Sequence, residues 1–297
     1  MSANDLLGKP TANKIFEKVR REAEEQAKQG WKPKLVSITI GDTDAVDVYV
    51  RNQRRSAEKC NIEFEEKHIP ASISQDELKV MIRQMNTNPS INGIIIQRPV
   101  PKHINTKEMQ TYIHPLKDVE GMHPASIGNI VYNELDLAPC TAAAAVELLH
   151  ATGLKMKGLE VVMIGHSAIV GKPAAFMMMA EGATVTVCNH MTNNLSNHTK
   201  HADAVIVATG VPNLIKADMI KKGAVVIDVG INIIEDKDGQ EKIVGDVDYD
   251  SVKDVAGWIT PVPGGVGPVT VSILMRNIMY ALRRQKKTYS NKYGSES

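Results

Sequence analysis

The glycine-bounded segment GHSAIVG, residues 165–171, has the residue types and spacing of a phosphate-binding turn. Gly165 follows a run of apolar residues that predicts a strand, and Gly171 opens a segment that predicts a helix. Backbone N–H groups and the positive end of a helix dipole would converge here, which suits the pyrophosphate of a dinucleotide. Ser167 stands where the GxGxxG fingerprint has its second glycine, so the motif alone leaves open a tight turn without a ligand.

The residues after the next predicted strand, Cys188-Asn189-His190, bear on the choice of dinucleotide. A classical NAD site has an acidic residue at this point to hold the ribose hydroxyls. No carboxylate is present to repel the 2′-phosphate of NADP, and no arginine is present to pair with it. His166 and His190 could supply hydrogen bonds and partial charge, although a strand-end histidine is also a common surface group. We predict NADP as the cofactor, with NAD as the alternative.

Other candidate ligand sets are weak. The histidines at 190, 198 and 201 match no helix-face pair with a third ligand, so we predict no metal site. The three cysteines, Cys60, Cys140 and Cys188, lie far apart without a CxxC spacing. This pattern predicts buried thiols in a reducing compartment rather than a disulfide framework or a zinc site.

The overall charge balance narrows the class of partner. The 297 residues carry a formal net charge of +1 and are 43% hydrophobic, as in an ordinary globular protein of one large or two medium domains. We expect a small-molecule partner and no nucleic acid, because so small a net charge creates no attracting field. No window approaches the roughly 18 apolar residues that span a bilayer, and no basic start precedes an apolar run. We therefore expect a cytoplasmic protein with no membrane partner.

The elements that must position the turn form two alternating patterns. From residue 159 the chain predicts a nucleotide-binding α/β domain, with a helix from Lys172 between strands. The predicted strands there are 160–164, 184–188, 204–208 and 225–229. In the first half, predicted helices 12–29, 46–60 and 75–86 alternate with predicted strands 34–40, 64–69 and 93–96.

The remaining segments are less regular. The unbroken apolar run at 93–96 suits a central strand of a parallel sheet covered on both faces. Residues 102–140 are rich in Pro, Asn, Gly and His, which predicts a long irregular excursion near a binding cleft. A helix is predicted from Thr141, and the last helix over 269–284.

Five further segments accompany the glycine-bounded turn: GDTDAVDVYVRNQ at 41–53, IIQRPVP at 95–101, KDVEG at 117–121, PCT at 139–141 and TPVPGGVGPVT at 260–270. Together and in this order, over nearly the whole chain, they resemble the folate family of methylenetetrahydrofolate dehydrogenase/cyclohydrolases. The resemblance implies oxidation of 5,10-methylenetetrahydrofolate by hydride transfer to NAD(P). It also implies hydrolysis of the methenyl product to 10-formyltetrahydrofolate, normally at the same site.

The family's fold is α/β, with an N-terminal α/β lobe, a Rossmann-type dinucleotide-binding domain and a cleft between them. By resemblance, residues 1–140 form the folate-binding lobe, completed by a C-terminal helix at 269–297, and residues 141–268 form the NAD(P)-binding domain. The resemblance also implies a homodimer.

Site residues carry over by position. The resemblance assigns catalytic positions to Tyr49, Gln53 and Gln97. It assigns folate contacts to these three, to Ile96, Arg98 and Glu120, and to Pro263, Gly264, Gly265, Val266 and Gly267, which it implies form a turn that closes over the folate. It assigns cofactor contacts to Gly165, His166, Ser167, Val170, Gly171 and His190, and to Gly230, Ile231 and Asn232 as the segment beside the nicotinamide.

One departure from the family bears directly on activity. The family has a lysine four residues after the tyrosine, and this chain has Gln53. Arg54 lies around the helix axis from the tyrosine's face, so it is not expected to replace the lysine. Hydrolysis needs proton transfers, and an amide can orient water but cannot act as acid or base. We therefore predict an active dehydrogenase with weak or absent cyclohydrolase activity; a fully bifunctional enzyme and a non-catalytic folate- or dinucleotide-binding homologue are the alternatives.

A second departure is Glu120 in KDVEG, where the family usually has an aspartate that accepts hydrogen bonds from the pterin. The extra methylene displaces the carboxylate unless the loop retreats. The alternative is a solvated loop glutamate, with Asp118 as a turn cap. Arg98, where the family has a leucine, could reach the glutamate tail of the folate, although an exposed loop arginine is the default interpretation.

Overall fold

The computed structural model describes residues 2–41, 44–235 and 239–293, with the side chains of residues 44, 45 and 290–293 left aside. Asp42 and Thr43 of the segment at 41–53 therefore lie outside the described residues. The helices α1 to α10 are Gly8–Lys28, Asp44–Lys59, Gln75–Thr87, Thr106–Tyr112, Pro124–Val131, Cys140–Ala151, Gly171–Ala180, Leu195–Thr199, Tyr249–Lys253 and Val266–Tyr293. The strands β1 to β11 are Asn4–Asp5, Lys34–Ile40, Glu63–Ile69, Gly93–Ile96, Glu160–Ile164, Thr184–Cys188, Ala204–Val207, Val225–Asp228, Asn232–Glu235, Glu241–Val244 and Trp258–Ile259.

The chain divides into two compact units. The first unit contains Met1–Asn13, Ile130–Leu135 and Pro139–Thr270, and the second contains Lys14–Asn129, Asp136–Ala138 and Val271–Ser297.

The second unit is built on a three-stranded parallel sheet with the order β3-β2-β4. All seven residues of β2 pair with β3, and four of them also pair with β4. The expectation that 93–96 forms a central strand is therefore wrong, because β2 is central and β4 lies at an edge. The four residues of β4 are nevertheless buried, since the following chain covers the edge and Ile94 bridges to Asp118.

The segment 102–140 is more regular than its composition predicts. It contains α4, a short 3-10 turn at Pro115–Lys117 and α5. Asn105 caps α4 by accepting a hydrogen bond from the N–H of Glu108, which supplies the start signal that the polar composition obscured. The expectation of an irregular excursion over all of this segment is therefore wrong.

The first unit has a six-stranded parallel sheet with the order β1-β11-β8-β7-β5-β6. Strand order reverses at β5, which has β6 on one side and β7 on the other. In open α/β sheets, ligands bind outside the carboxyl ends of the strands at such a switch point. The model therefore confirms the predicted α/β class, and the 165–171 turn follows β5 directly.

Helix boundaries differ from the sequence expectations mainly at the chain's two long helices. Helix α1 begins at Gly8 rather than residue 12, with Pro10 in a first turn that needs no proline N–H. Helix α10 begins at Val266 and continues to Tyr293, beyond the predicted 269–284. The antiparallel pair β9 and β10 has no counterpart in the prediction. Among the described residues, no helix is long and apolar enough to cross a bilayer.

Candidate active site

The catalytic positions Gln53 and Gln97 meet in a network of neutral groups in the second unit. Gln97 follows β4 and is only 7% exposed. Its Nε2 donates to Gln53 Oε1 at 2.7 Å and to Ser37 Oγ, on β2, at 2.9 Å. Both hydrogens of the Gln97 amide are thus engaged, which leaves its carbonyl oxygen as the group available to a ligand.

The cationic side chain next to Gln53 is directed elsewhere. The Arg54 guanidinium lies 2.5 Å from Glu66 Oε2 and 4.9 Å from the centre of the Phe64 ring. Both partners lie on β3, so the ion pair and the cation–π contact hold Arg54 against the sheet. That Arg54 does not take the place of the family's lysine stays a prediction, which this placement on β3 supports.

Glu120 lies beside Arg98, so the structure brings the IIQRPVP and KDVEG segments together. Its Oε1 is 3.9 Å from Arg98 Nη2, and its Oε2 accepts a hydrogen bond from Gln110 Nε2 at 3.4 Å. Burial raises the pKa of the Glu120 carboxyl to about 7, even though the positive charge of Arg98 acts in the opposite direction. Glu120 is therefore a carboxyl that can change its charge near neutral pH.

Asp118 has a structural role in the same loop. Its carboxylate accepts hydrogen bonds from the N–H groups of Met122 and His123 and from the Ser126 hydroxyl, at 2.7–3.1 Å. It is 1% exposed, and burial raises its pKa. Asp118 therefore caps the turn, as the alternative interpretation supposed, but Glu120 is not the solvated carboxylate of that alternative, because its side chain is only 20% exposed. The bonds to Asp118 fix the backbone that carries Glu120.

Other folate-contact positions differ widely in exposure. Tyr49 is 63% exposed on α2, whereas Ile96 is 1% exposed and belongs to the hydrophobic core beside β2. The Arg98 guanidinium contacts the Met122 sulfur as well as approaching Glu120. Tyr49 thus offers its ring to a ligand, whereas Ile96 packs inward.

The 260–267 segment in the first unit depends on close backbone contacts. Gly264 has a φ of +114°, and its carbonyl accepts a hydrogen bond from the N–H of Gly8 at 2.9 Å. A Cβ on Gly8 would lie 1.9 Å from the Gly265 oxygen. Pro263, Gly264 and Gly265 form the turn, whereas Val266 and Gly267 already belong to α10, contrary to the expectation that all five form a turn.

The glycine-bounded turn after β5 is held by its own contacts. A Cβ on Gly171 would lie 2.0 Å from the Gly165 oxygen, so strand and helix approach too closely for any other residue. Ser167 Oγ accepts hydrogen bonds from the N–H groups of Val170 and Gly171, at 3.2 and 3.4 Å. Two of the N–H groups expected at a pyrophosphate therefore already have an internal acceptor, and both bonds are long.

His166 and His190 lie at the carboxyl ends of the adjacent strands β5 and β6. Their ring centroids are 6.3 Å apart, and both residues are exposed. Asn189 holds the turn that carries His190, because its Oδ1 accepts the N–H of Met191 and its N–H donates to Thr192 Oγ1. Two imidazoles are thus placed together where the sequence predicted the adenosine ribose.

Two buried carboxylates organise the loops after β7 and β8. Asp228 accepts backbone N–H groups from Gly230, Asp246 and Val247 at 2.9–3.0 Å. Burial raises the pKa of Asp228 to about 6, and the nearby Asp246 charge adds to the effect. Asp246 accepts hydrogen bonds from Thr209, Gly210 and Asn232. Residues 230–232, which the resemblance places beside the nicotinamide, are therefore hydrogen-bonded to both carboxylates.

Comparison with known proteins assigns the two halves of the chain. Residues 6–120 match the family model described as "Tetrahydrofolate dehydrogenase/cyclohydrolase, catalytic domain", and residues 139–286 match the corresponding "NAD(P)-binding domain". The chain belongs to the tetrahydrofolate dehydrogenase/cyclohydrolase family. The resemblance found in the sequence is confirmed.

Individual family members agree with this assignment. "Bifunctional protein FolD 2" of Mesorhizobium japonicum is 63% identical over 290 residues, covering 98% of this chain and 95% of the relative. The FolD crystal structure from Campylobacter jejuni superposes with a TM-score of 0.89 at 38% identity, covering 95% and 99% of the two chains. The Trypanosoma brucei FolD, described as complexed with NADP cofactor and inhibitor, has a TM-score of 0.88 at 33% identity and covers 97% and 99%.

Several residues of this family member's site were missed by sequence reasoning. Ser37 lies in a largely apolar strand and gave only a weak signal, because KLVSITI also contains the polar residues Lys34 and Thr39. Gln110, on α4, gave none, because it lies in the segment that was expected to be irregular. Asp228 ends the apolar strand β8, a position typical of residues at the carboxyl edge of a parallel sheet, whereas Asp246 follows β10 of the antiparallel pair and gave no such signal.

Proposed function

We propose that this chain is an NADP-dependent dehydrogenase that oxidises 5,10-methylenetetrahydrofolate to 5,10-methenyltetrahydrofolate, with little or no cyclohydrolase activity. The observation that carries the proposal is the 2.7 Å hydrogen bond from Gln97 Nε2 to Gln53 Oε1. An amide acceptor stands where the family has a lysine, so this position lacks a group that exchanges protons near neutral pH.

Dehydrogenation does not depend on the missing lysine. NADP supplies the hydride acceptor when it is bound. On the chain's side the requirement is orientation, because substrate nitrogen lone pairs expel the hydride once the reacting carbons are at reacting distance. Gln97 supplies a fixed carbonyl oxygen and Tyr49 an exposed ring for this purpose, and neither changes charge in the reaction. A neutral Gln53 also avoids placing an ammonium beside the developing cation.

Two features favour NADP over NAD. The end of β6 carries Asn189 and His190 rather than a carboxylate, so a 2′-phosphate meets no repulsion there. The His166 and His190 rings, 6.3 Å apart, can donate hydrogen bonds to a phosphate. The Gly165–Gly171 turn fits the pyrophosphate, because its glycines bring the backbone close to the ligand.

The second candidate is the full bifunctional enzyme. The printed name of the Mesorhizobium japonicum relative, 63% identical, favours it. In this case Gln53 would hold the attacking water by hydrogen bonding, and the proton would leave through solvent. Such water-mediated hydrolysis would lack the roughly 10²- to 10⁴-fold contribution of a positioned acid–base group.

One pair of assays separates these candidates. Purified protein is given methylenetetrahydrofolate with NADP or NAD, and reduction is followed at the nicotinamide absorbance. Methenyltetrahydrofolate is then supplied alone, and its decay is compared with the buffer rate. We expect NADP to be reduced and methenyltetrahydrofolate to decay at the buffer rate. Decay well above the buffer rate would establish the bifunctional enzyme, and no reduction with either cofactor would indicate a non-catalytic binding homologue.

We also propose the functional boundaries and the assembly. The folate-binding lobe comprises residues 1–140 and 269–297, and the NAD(P)-binding domain comprises residues 141–268. A homodimer is supported by two isoleucines that face each other across β9 and β10, Ile233 and Ile243, which are 66% and 46% exposed. A cytoplasmic location is supported by three buried free cysteines, which suit a reducing compartment.

A further inference from the structure

Asp246 is fully buried, and all of its described hydrogen-bond partners are donors. Its Oδ2 accepts from the N–H and hydroxyl of Thr209, at 2.6 and 2.9 Å, and from the N–H of Gly210, at 3.0 Å. Its Oδ1 accepts from Asn232 Nδ2 at 2.9 Å. The carboxylate is the acceptor in each of these contacts, and the two backbone N–H groups on Oδ2 can only donate.

This arrangement fixes the orientation of the Asn232 amide. Because Asp246 can only accept, the NH₂ end of the amide must face it. The carbonyl oxygen of Asn232 is then turned away from Asp246, and within the described part of the chain it accepts no hydrogen bond. Asn232 therefore presents an acceptor, and the ligand group that meets it must be a donor.

The backbone is built to allow this contact. A Cβ on Gly230 would lie 2.1 Å from Asp246 Oδ1, so only glycine lets the carboxylate reach Asn232. Asp228 fixes the other side, because its carboxylate accepts the N–H groups of Gly230 and Asp246. The orientation of the Asn232 amide is thus set by residues that need not contact a ligand.

We propose that Asp246 is a positioning residue that holds the Asn232 carbonyl oxygen toward the carboxamide NH₂ of the nicotinamide. This proposal rests on the proposed function and on the family resemblance, which places residues 230–232 beside the nicotinamide ring. The carboxamide is the group that sets the rotation of the ring, so its donor end selects which face of the ring meets the folate. Asp246 acts on the reaction only through Asn232.

The test exploits a cofactor analogue without the donor. The 3-acetylpyridine analogue of NADP has a methyl ketone in place of the carboxamide, so it has no NH₂. The readout is the kcat/KM for NADP divided by that for the analogue, compared between variants so that the intrinsic difference in reduction potential cancels. One hydrogen bond of this kind corresponds to about a three- to tenfold change in the ratio.

Asp246→Asn should reduce the preference of the enzyme for NADP over the acetylpyridine analogue. The new amide must turn its oxygen to Thr209 and Gly210, so its NH₂ faces Asn232 and forces the Asn232 amide to flip. The ratio is expected to fall about three- to tenfold. Adding Asn232→Asp restores an acceptor at position 232 and a matched pair with position 246, and the ratio should return to the wild-type value. Asp250→Asn, the same chemical change at an exposed position on α9, should leave the ratio unchanged.

Other outcomes decide against the proposal. A folded Asp246→Asn variant with the wild-type ratio, or a double variant no better than the single one, would overturn it. If Asp246→Asn does not fold, Asn232→Ala keeps the test open, because Asp246 retains its bonds to Thr209 and Gly210. An unchanged ratio in Asn232→Ala would also overturn the proposal. If the wild type reduces no cofactor, the proposed function fails, and the same ratios are measured as dissociation constants by calorimetry.

Discussion

Replacing Glu120 by glutamine should remove a pH dependence that its burial creates. Burial raises the pKa of this carboxyl from 4.5 to about 7, so the folded protein binds the proton more tightly than the unfolded chain does. Its contribution to stability is fully present below pH 4.5 and is lost as the pH rises through 7. The change corresponds to about 3 kcal/mol, at 1.36 kcal/mol for each tenfold difference in proton affinity.

The comparison of wild type with Glu120→Gln isolates this group. The wild type should lose about 3 kcal/mol of unfolding free energy relative to the variant between pH 4 and pH 8, measured by urea unfolding. A direct check is the ¹³C titration of labelled glutamate carboxyls, with the Glu120 signal assigned by its absence in the variant. Glu77, whose pKa is lowered by its hydrogen bonds to Ser74, provides the contrasting titration in the same spectrum.

The same carboxyl should govern folate binding. Pterin N–H groups favour the ionised acceptor, so kcat/KM for methylenetetrahydrofolate should rise with pH through about 7 in the wild type and remain low and flat in Glu120→Gln. A Glu120 that titrates near 4.5, or a stability difference independent of pH, would refute the reasoning.

Three further substitutions test the remaining features. Gln53→Lys should raise methenyltetrahydrofolate hydrolysis by about 10²- to 10⁴-fold while NADP reduction stays within about tenfold, measured with the assays above; an unchanged hydrolysis rate would mean that more than the lysine is missing. Gly171→Ala should raise the KM for NADP and lower the melting temperature, because its Cβ would lie 2.0 Å from the Gly165 oxygen; wild-type values for both would contradict the close approach. Ile233→Glu should shift a dimer toward monomer in sedimentation, and an unchanged dimer would place the interface elsewhere.

The alternation of strands and helices was predictable because it depends on local patterns. Segments such as 34–40 and 160–164 carry apolar runs bounded by turn residues, and their bounds match the structure. The order of the strands within each sheet was harder to predict from the sequence. Residues 93–96 were predicted to form a central strand because all four are apolar. They are buried because the chain at Asp118 covers this edge of the sheet.

The site residues that belong to a sequence motif could be predicted, whereas those that only the fold brings together could not. Gln53 and Gln97 were singled out by resemblance, but their hydrogen bond depends on the pairing of β2 with β4, which also brings Ser37 to the network. Asp246 gave no local signal of its role, because its partners come from separate segments at 209–210 and 232. Long-range pairing of this kind is not encoded in residue spacing.

The amide network around Gln97 has a consequence for how the site can evolve. The Gln97 side chain can turn over, and the Ser37 hydroxyl can then donate where it now accepts, so the network tolerates either an acceptor or a donor at position 53. Glutamine and lysine codons differ by a single base. Under the proposed function, gain and loss of the hydrolytic step are therefore separated by a single base change, and neither change leaves a buried polar group of this network without a hydrogen-bond partner. A lineage needing only the oxidised folate can drop the second activity and later recover it without rebuilding its core.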